Sequence, residues 1–268
     1  MIIGSNIQYN HDLNTEYAIF IFFSTLSSYN LHWYFTEIPK NKSLLVEGQF
    51  RYNFNEKYKN TILGLFIISC SISIYILWMN QHWIQYVLPA IIATLIYSAP
   101  KFPLKQFKKL EGKAYVKTFY LAAVWLYVTN ILPMLLNGTY LDINMILYLL
   151  ANYIFIYIIC LLFDYRDQEN EELNYIFINN IKYFESVISI LIVLFMILIM
   201  MMLVVEISFS IILSILIPFI LLYTLIAKSK RTKSDYWYYF ILDGLMCAPS
   251  IIIIIIKYST LLTYKLFD

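Results

Sequence analysis

Long apolar runs alternate with short polar ones along the whole chain, and the runs reach about 18 residues or more, the length that crosses a bilayer as a helix. Eight such segments are predicted, near 15–35, 61–79, 82–99, 115–136, 145–163, 186–205, 207–227 and 237–256. Inside lipid every backbone N–H and C=O must find a partner within its own segment, which a helix provides. Strict period-two alternation, the mark of a membrane barrel, is missing. The expected fold class is therefore all-α: a polytopic transmembrane helix bundle of about eight spans. Segments 61–79 and 82–99, and again 186–205 and 207–227, lie so close together that each pair must be a helical hairpin. The turns are expected around Asn80 and Gln81 and around Glu206. Residues 1–14 read as a polar N-terminal segment without a helix, and 15–268 as a single transmembrane domain.

Charge adds an orientation. Only 13% of residues are charged against 61% hydrophobic, and the net charge of +2 is uninformative. Position is not. Lys40, Lys42, Arg51, Lys57 and Lys59 follow the first span, and Lys101, Lys105, Lys108, Lys109, Lys113 and Lys117 surround the gap between the third and fourth. Arg166 and Lys182 follow the fifth, and Lys228, Lys230, Arg231 and Lys233 the seventh. Of the 19 Lys and Arg residues, only Lys257 and Lys265 fall on the opposite side. Basic residues near span ends favour the cytoplasm. This predicts both termini outside and residues 163–172 on the cytoplasmic face. Cys70, Cys160 and Cys247 each sit inside an apolar run and read as small buried hydrophobes rather than a disulfide framework or metal site. The first fourteen residues lack the basic start of a cleavable signal peptide.

Candidate chemistry begins where the fifth apolar run stops. Residues 163–172 read FDYRDQENEE, and Asp164, Asp167 and Glu171 follow a D-x-x-D-x-x-x-E spacing that falls on one face of a continuing helix. Hard oxygen ligands of this kind suit Mg²⁺ completed by substrate phosphates, with Arg166 between the acids as a partner for an anion. The plain alternative is a solvated charged loop. The stretch 97–117, YSAPKFPLKQFKKLEGKAYVK, reads either as a positive-inside anchor or as a basic flap that brings Lys101 and Lys105 to a phosphate. In YNLHWYFTE (29–37), Asn30 and His32 are candidates to face a polar cavity, and the aromatics are ordinary interface anchors. Asp243 lies inside the last span, where a carboxylate costs roughly 2.5–3.5 kcal/mol on insertion scales. It is expected to face the bundle with a partner, within reach of the cavity of the acidic run, or to make a structural hydrogen bond. Asn130 and Asn152 read as structural.

Together these segments resemble the UbiA superfamily of intramembrane prenyltransferases. FDYRDQENEE resembles that family's second Asp-rich motif, with Glu171 where Asp is usual. YSAPKFPLKQFKKL and the following KTFYLAAVWLYVTNILP resemble the central basic loop and next helix. YNLHWYF and DYWYYFILDGLM are similar to segments of uncharacterised bacterial members. The resemblance implies a Mg²⁺-dependent transfer of a polyprenyl group from its diphosphate to an acceptor within the membrane. Asp164, Asp167 and Glu171 would hold the metal, Arg166, Lys101 and Lys105 would meet the diphosphate, and Asn30 would be a remnant of the first motif. That motif has the form N-x-x-x-D-x-x-x-D; here Tyr34 and Ile38 stand at its acidic places, with Glu37 out of phase. The family's first helix has no expected counterpart in 1–14. Two other classes fit the pattern: a non-catalytic lipid-binding or assembly protein on the same scaffold, and a small transporter. The transporter reading lacks repeat halves and paired Gly/Pro-broken spans. A CDP-alcohol phosphotransferase is disfavoured because Gln168, not Gly, follows Asp167.

Overall fold

A computed structural model describes residues 1–8, 14–35, 54–98, 114–139, 141–168, 181–232 and 234–267. The described residues are helical without a strand. The helices are α1 (Ile2–Gln8), α2 (Thr15–Tyr34), α3 (Lys59–Met79), α4 (Ile84–Ser98), α5 (Ala114–Leu126), α6 (Leu132–Leu136), α7 (Ile143–Gln168), α8 (Ile181–Val204), α9 (Phe209–Ser229), α10 (Asp243–Met246) and α11 (Ala248–Phe267). A 3₁₀ turn at Gln81–Trp83 precedes α4, and π-turns occupy Tyr127–Ile131 and Trp237–Leu242.

Five helical segments among the described residues are long and apolar enough to cross a membrane: Lys59–Met79, Thr118–Leu136, Ile143–Arg166, Phe184–Val204 and Phe209–Ser229. A sixth is formed if Trp237–Met246 and Ala248–Ser259, bent by 45° at Cys247, count as one span. The other two expected spans are helices outside this set. α2 has the length but carries Glu16, Ser24, Thr25, Ser27, Ser28, Asn30 and His32. α4 is described from Ile84 to Ser98, where the described residues stop.

The chain divides into two compact units, Asn14–Val124 and the combination of Met1–Leu13 with Trp125–Asp268. In the first, α2 packs along α3. Its N-cap Asn14 accepts from the Tyr17 N–H at 2.9 Å. Ser69 and Ser73 of α3 are buried and return their hydroxyls to the carbonyls of Leu65 and Ser69. Small side chains of this kind let two membrane helices approach closely. The expected turn at Asn80 is present: Asn80 donates to Glu16 at 3.0 Å, and buried Trp83 meets Tyr17 edge-on at 5.8 Å.

In the second unit α7 is the central helix. The span it carries is 72% buried, against 22% for Phe184–Val204 in α8. Phe155, Ile156, Ile158, Ile159 and Leu162 are all enclosed, and α8, α9 and α10 pack around it. The segment 1–14 corrects the sequence expectation, because Ile2–Gln8 is a helix, seated on α11. Seven residues are too few for periodicity to register; packing fixes them. A Cβ on Gly4 would run into the main chain of Ser250, Ser250 Oγ donates to the Met1 carbonyl at 2.8 Å, and Lys257 Nζ to that of Ile7 at 3.4 Å. The cysteines also depart in part from expectation: Cys160 is buried, Cys70 half-buried and Cys247 exposed.

The turn at Glu206 is a Schellman cap. The Ile207 N–H bonds the Met202 carbonyl at 3.0 Å and the Glu206 N–H that of Leu203 at 3.2 Å. The same pair of bonds closes α6 at Gly138, where φ is +67°. Such caps need a left-handed residue, and glycine takes that conformation without cost. Here Glu206 adopts φ 58°. Glu206→Gly is expected to stabilise the protein by about 1 kcal/mol, read as a higher midpoint of thermal unfolding in detergent. An unchanged or lower midpoint would contradict the cap argument.

Candidate functional site

α7 does not stop where the apolar run stops. It continues through Phe163 to Gln168, which keeps Asp164 and Asp167 three residues apart on one continuous helix. Arg166 lies in its last turn, where unpaired carbonyls favour a cation. The side chain is only 3% exposed. It is enclosed by the segment after α9: Nη1 lies 3.5 Å from Asp235 Oδ1 and Nη2 donates to the Tyr239 hydroxyl at 3.0 Å. The guanidinium also lies 4.5 Å from the ring centre of Tyr238, 4.8 Å from that of Tyr239 and 5.4 Å from that of Phe163. Arg166, expected to meet a diphosphate, is thus engaged within the chain.

The π-turn Trp237–Leu242 explains how one short segment supplies these partners. Its extra residue per turn re-aims side chains relative to an α-helix. Tyr238 points inward, fully buried, and Tyr239 beside it still reaches Arg166. The turn is tied to the end of α9 through Ser229. The Ser229 hydroxyl accepts from Trp237 Nε1 at 2.9 Å, and its carbonyl accepts from the Tyr238 hydroxyl at 2.7 Å. Asp243 follows directly, as the first residue of α10. It lies within electrostatic range of Arg166, and Asp164 and Asp243 both act electrostatically on Cys160. Tyr165 and Phe184 pack at 4.7 Å, and Lys230 pairs with Glu185 at 2.9 Å, joining the start of α8 to the same end of the unit.

The structure therefore brings together Asp164, Arg166 and Asp243 of the sequence-derived set. Asn30 belongs to the other unit, where its Nδ2 donates to the Leu26 carbonyl of its own helix at 2.7 Å. Asn130 donates to Thr129 at 2.8 Å within its π-turn. Lys101, Lys105 and Glu171 lie outside the described residues, as does the side chain of Asp167. Among the described residues no group of three or more His, Cys, Asp or Glu side chains is placed to hold a metal ion. Sequence reasoning missed Asp235, Tyr239 and Ser229. The one available signal was an acidic residue standing alone between a basic run and an aromatic one, KSKRTKSDYWYYF.

Fold and charge placement define a multi-pass, all-helical integral membrane protein with charged groups gathered at one end of its second unit. No protein-family profile, curated protein or solved structure matches the chain.

Proposed function

We propose that this chain is a UbiA-like intramembrane prenyltransferase, moving a polyprenyl group from its diphosphate to an acceptor held in the bilayer, in a bacterial inner membrane with the acidic motif facing the cytoplasm. The observation that carries the reading is the continuation of α7 past its apolar run, with Asp164 and Asp167 one turn apart and Asp243 gathered near the same helix end. Asp164, Asp167 and Glu171 would hold Mg²⁺ through their carboxylate oxygens, donors of the hard kind that ion takes. The metal would offset charge building on the departing diphosphate. Lys101 and Lys105 would supply cations to the diphosphate. Arg166 contributes as a positioning residue, since its buried guanidinium is engaged by Asp235 through Nη1 and by Tyr239 through Nη2. Surrounding apolar helices would keep water from the allylic cation.

A second reading, a non-catalytic lipid-binding or assembly protein on the same scaffold, is favoured by the engagement of Arg166 and of Asn30 within the chain. Incubating membranes with labelled polyprenyl diphosphates and Mg²⁺ separates the two. The transferase reading expects a prenylated product that falls at least about 100-fold in Asp164→Ala and Asp167→Ala, the scale on which removal of transition-state charge stabilisation acts. No product and no Mg²⁺-dependent binding of the diphosphate in the wild type would overturn it.

A further inference from the structure

Lys228, Lys230 and Arg231 lie at the connection between α9 and the π-turn. Only residues 230–236 separate two membrane-spanning segments here. The connection is also folded back on itself. The Arg231 and Thr232 N–H groups bond the Lys228 carbonyl at 3.0 and 3.1 Å, and Trp237 and Tyr238 bond Ser229. At no more than about 3.5 Å per residue, a link of this length cannot carry its charges away from the bilayer surface.

The charges in this corner are unequally matched. Glu185 takes Lys230 at 2.9 Å, and Asp235 takes Arg166. Lys228 and Arg231 are exposed, three residues apart, and form no ion pair among the described residues. Like charges at that spacing repel each other. The Lys228 ammonium sits 4.1 Å from the centre of the Trp237 ring, whose orientation is fixed by the bond to Ser229. One turn on, Tyr236 and Phe240 stack at 5.1 Å and are 65% and 64% exposed. A cation held over the Trp237 ring, a second exposed cation three residues on and an exposed aromatic pair beside Trp237 have the polarity of a phospholipid: phosphate at the cations, glycerol and acyl chain along the rings.

We propose that this corner is a binding site for an anionic phospholipid headgroup. Lys228 and Arg231 take the phosphate through charge-assisted hydrogen bonds, and Trp237, Tyr236 and Phe240 line the path of the lipid's apolar part. Each basic residue close to an anionic membrane surface is worth about fivefold in affinity, so the pair gives about 25-fold.

The test is native mass spectrometry of the full chain released from micelles holding equal amounts of phosphatidylglycerol and phosphatidylcholine. The wild type is expected to retain phosphatidylglycerol by about 25-fold. Lys228→Gln with Arg231→Gln should bring the ratio close to one. The charge-retaining pair Lys228→Arg with Arg231→Lys should restore it, which separates loss of the site from loss of fold, and Lys257→Gln should leave it unchanged. Excess glycerol phosphate should not displace the lipid. No headgroup preference in the wild type, preference kept in the double Gln variant, or displacement by glycerol phosphate would each overturn the proposal.

Discussion

Arg166→Ala is expected to destabilise the protein by about 2–4 kcal/mol, the range for removing a large buried side chain together with a charged hydrogen bond. The side chain is almost fully enclosed, so its removal leaves a void bounded by Phe163, Tyr238 and Tyr239. The bond to the Tyr239 hydroxyl goes with it. Asp235 is 33% exposed and stays partly hydrated, so the loss stays below that for a fully buried ion pair. Asp235→Asn should accordingly cost no more than about 1 kcal/mol. Arg166→Lys should recover only part of the loss, because an ammonium cannot stack flat on Tyr238 while also reaching Tyr239. Thermal unfolding in detergent provides the measurement. If Arg166→Ala melts with the wild type, or Asp235→Asn costs as much as Arg166→Ala, the enclosure is not what holds α7 to the π-turn.

Phe195→Ala should be at least as damaging, at about 3–5 kcal/mol. Phe195 of α8 and Phe219 of α9 lie parallel, 3.5 Å apart and 3° from coplanar, and both are buried. Lipid does not soften this cost: within a bilayer, packing rather than water exclusion holds helices together. Met196, the next residue on α8, is 48% exposed, and Met196→Ala is expected to change stability by less than about 0.5 kcal/mol. Comparable midpoints for the two variants would show that the Phe195–Phe219 stack does not hold α8 to α9.

Much of the fold was legible in the apolar pattern. Breaks at Asn80 and Glu206 follow from runs too close together to leave the bilayer between them, and a turn is present at each. The spacing of Asp164 and Asp167 left open a continuing helix or a charged loop, and the structure continues α7 through Gln168. α1 was missed because its helix depends on a contact with Ser250, about 250 residues away, and leaves no periodic trace. α2, read as a span from the length of its run, is a helix of 20 residues whose polar content run length alone does not weigh.

The site divides along the same line. The sequence by itself determined that this is a helical membrane protein, where its helices turn, and that Asp164 and Arg166 follow directly on an apolar run. These depend on hydropathy and helical period, which are local properties. Tertiary structure decided what Arg166 does. Whether a guanidinium is open to a ligand or enclosed by Asp235, Tyr238 and Tyr239 depends on residues about seventy positions away, brought back by a π-turn that no periodicity announces. The same folding left Lys228 and Arg231 exposed at the corner while pairing Lys230 with Glu185, so that one basic run serves partly as internal pairing and partly as open surface.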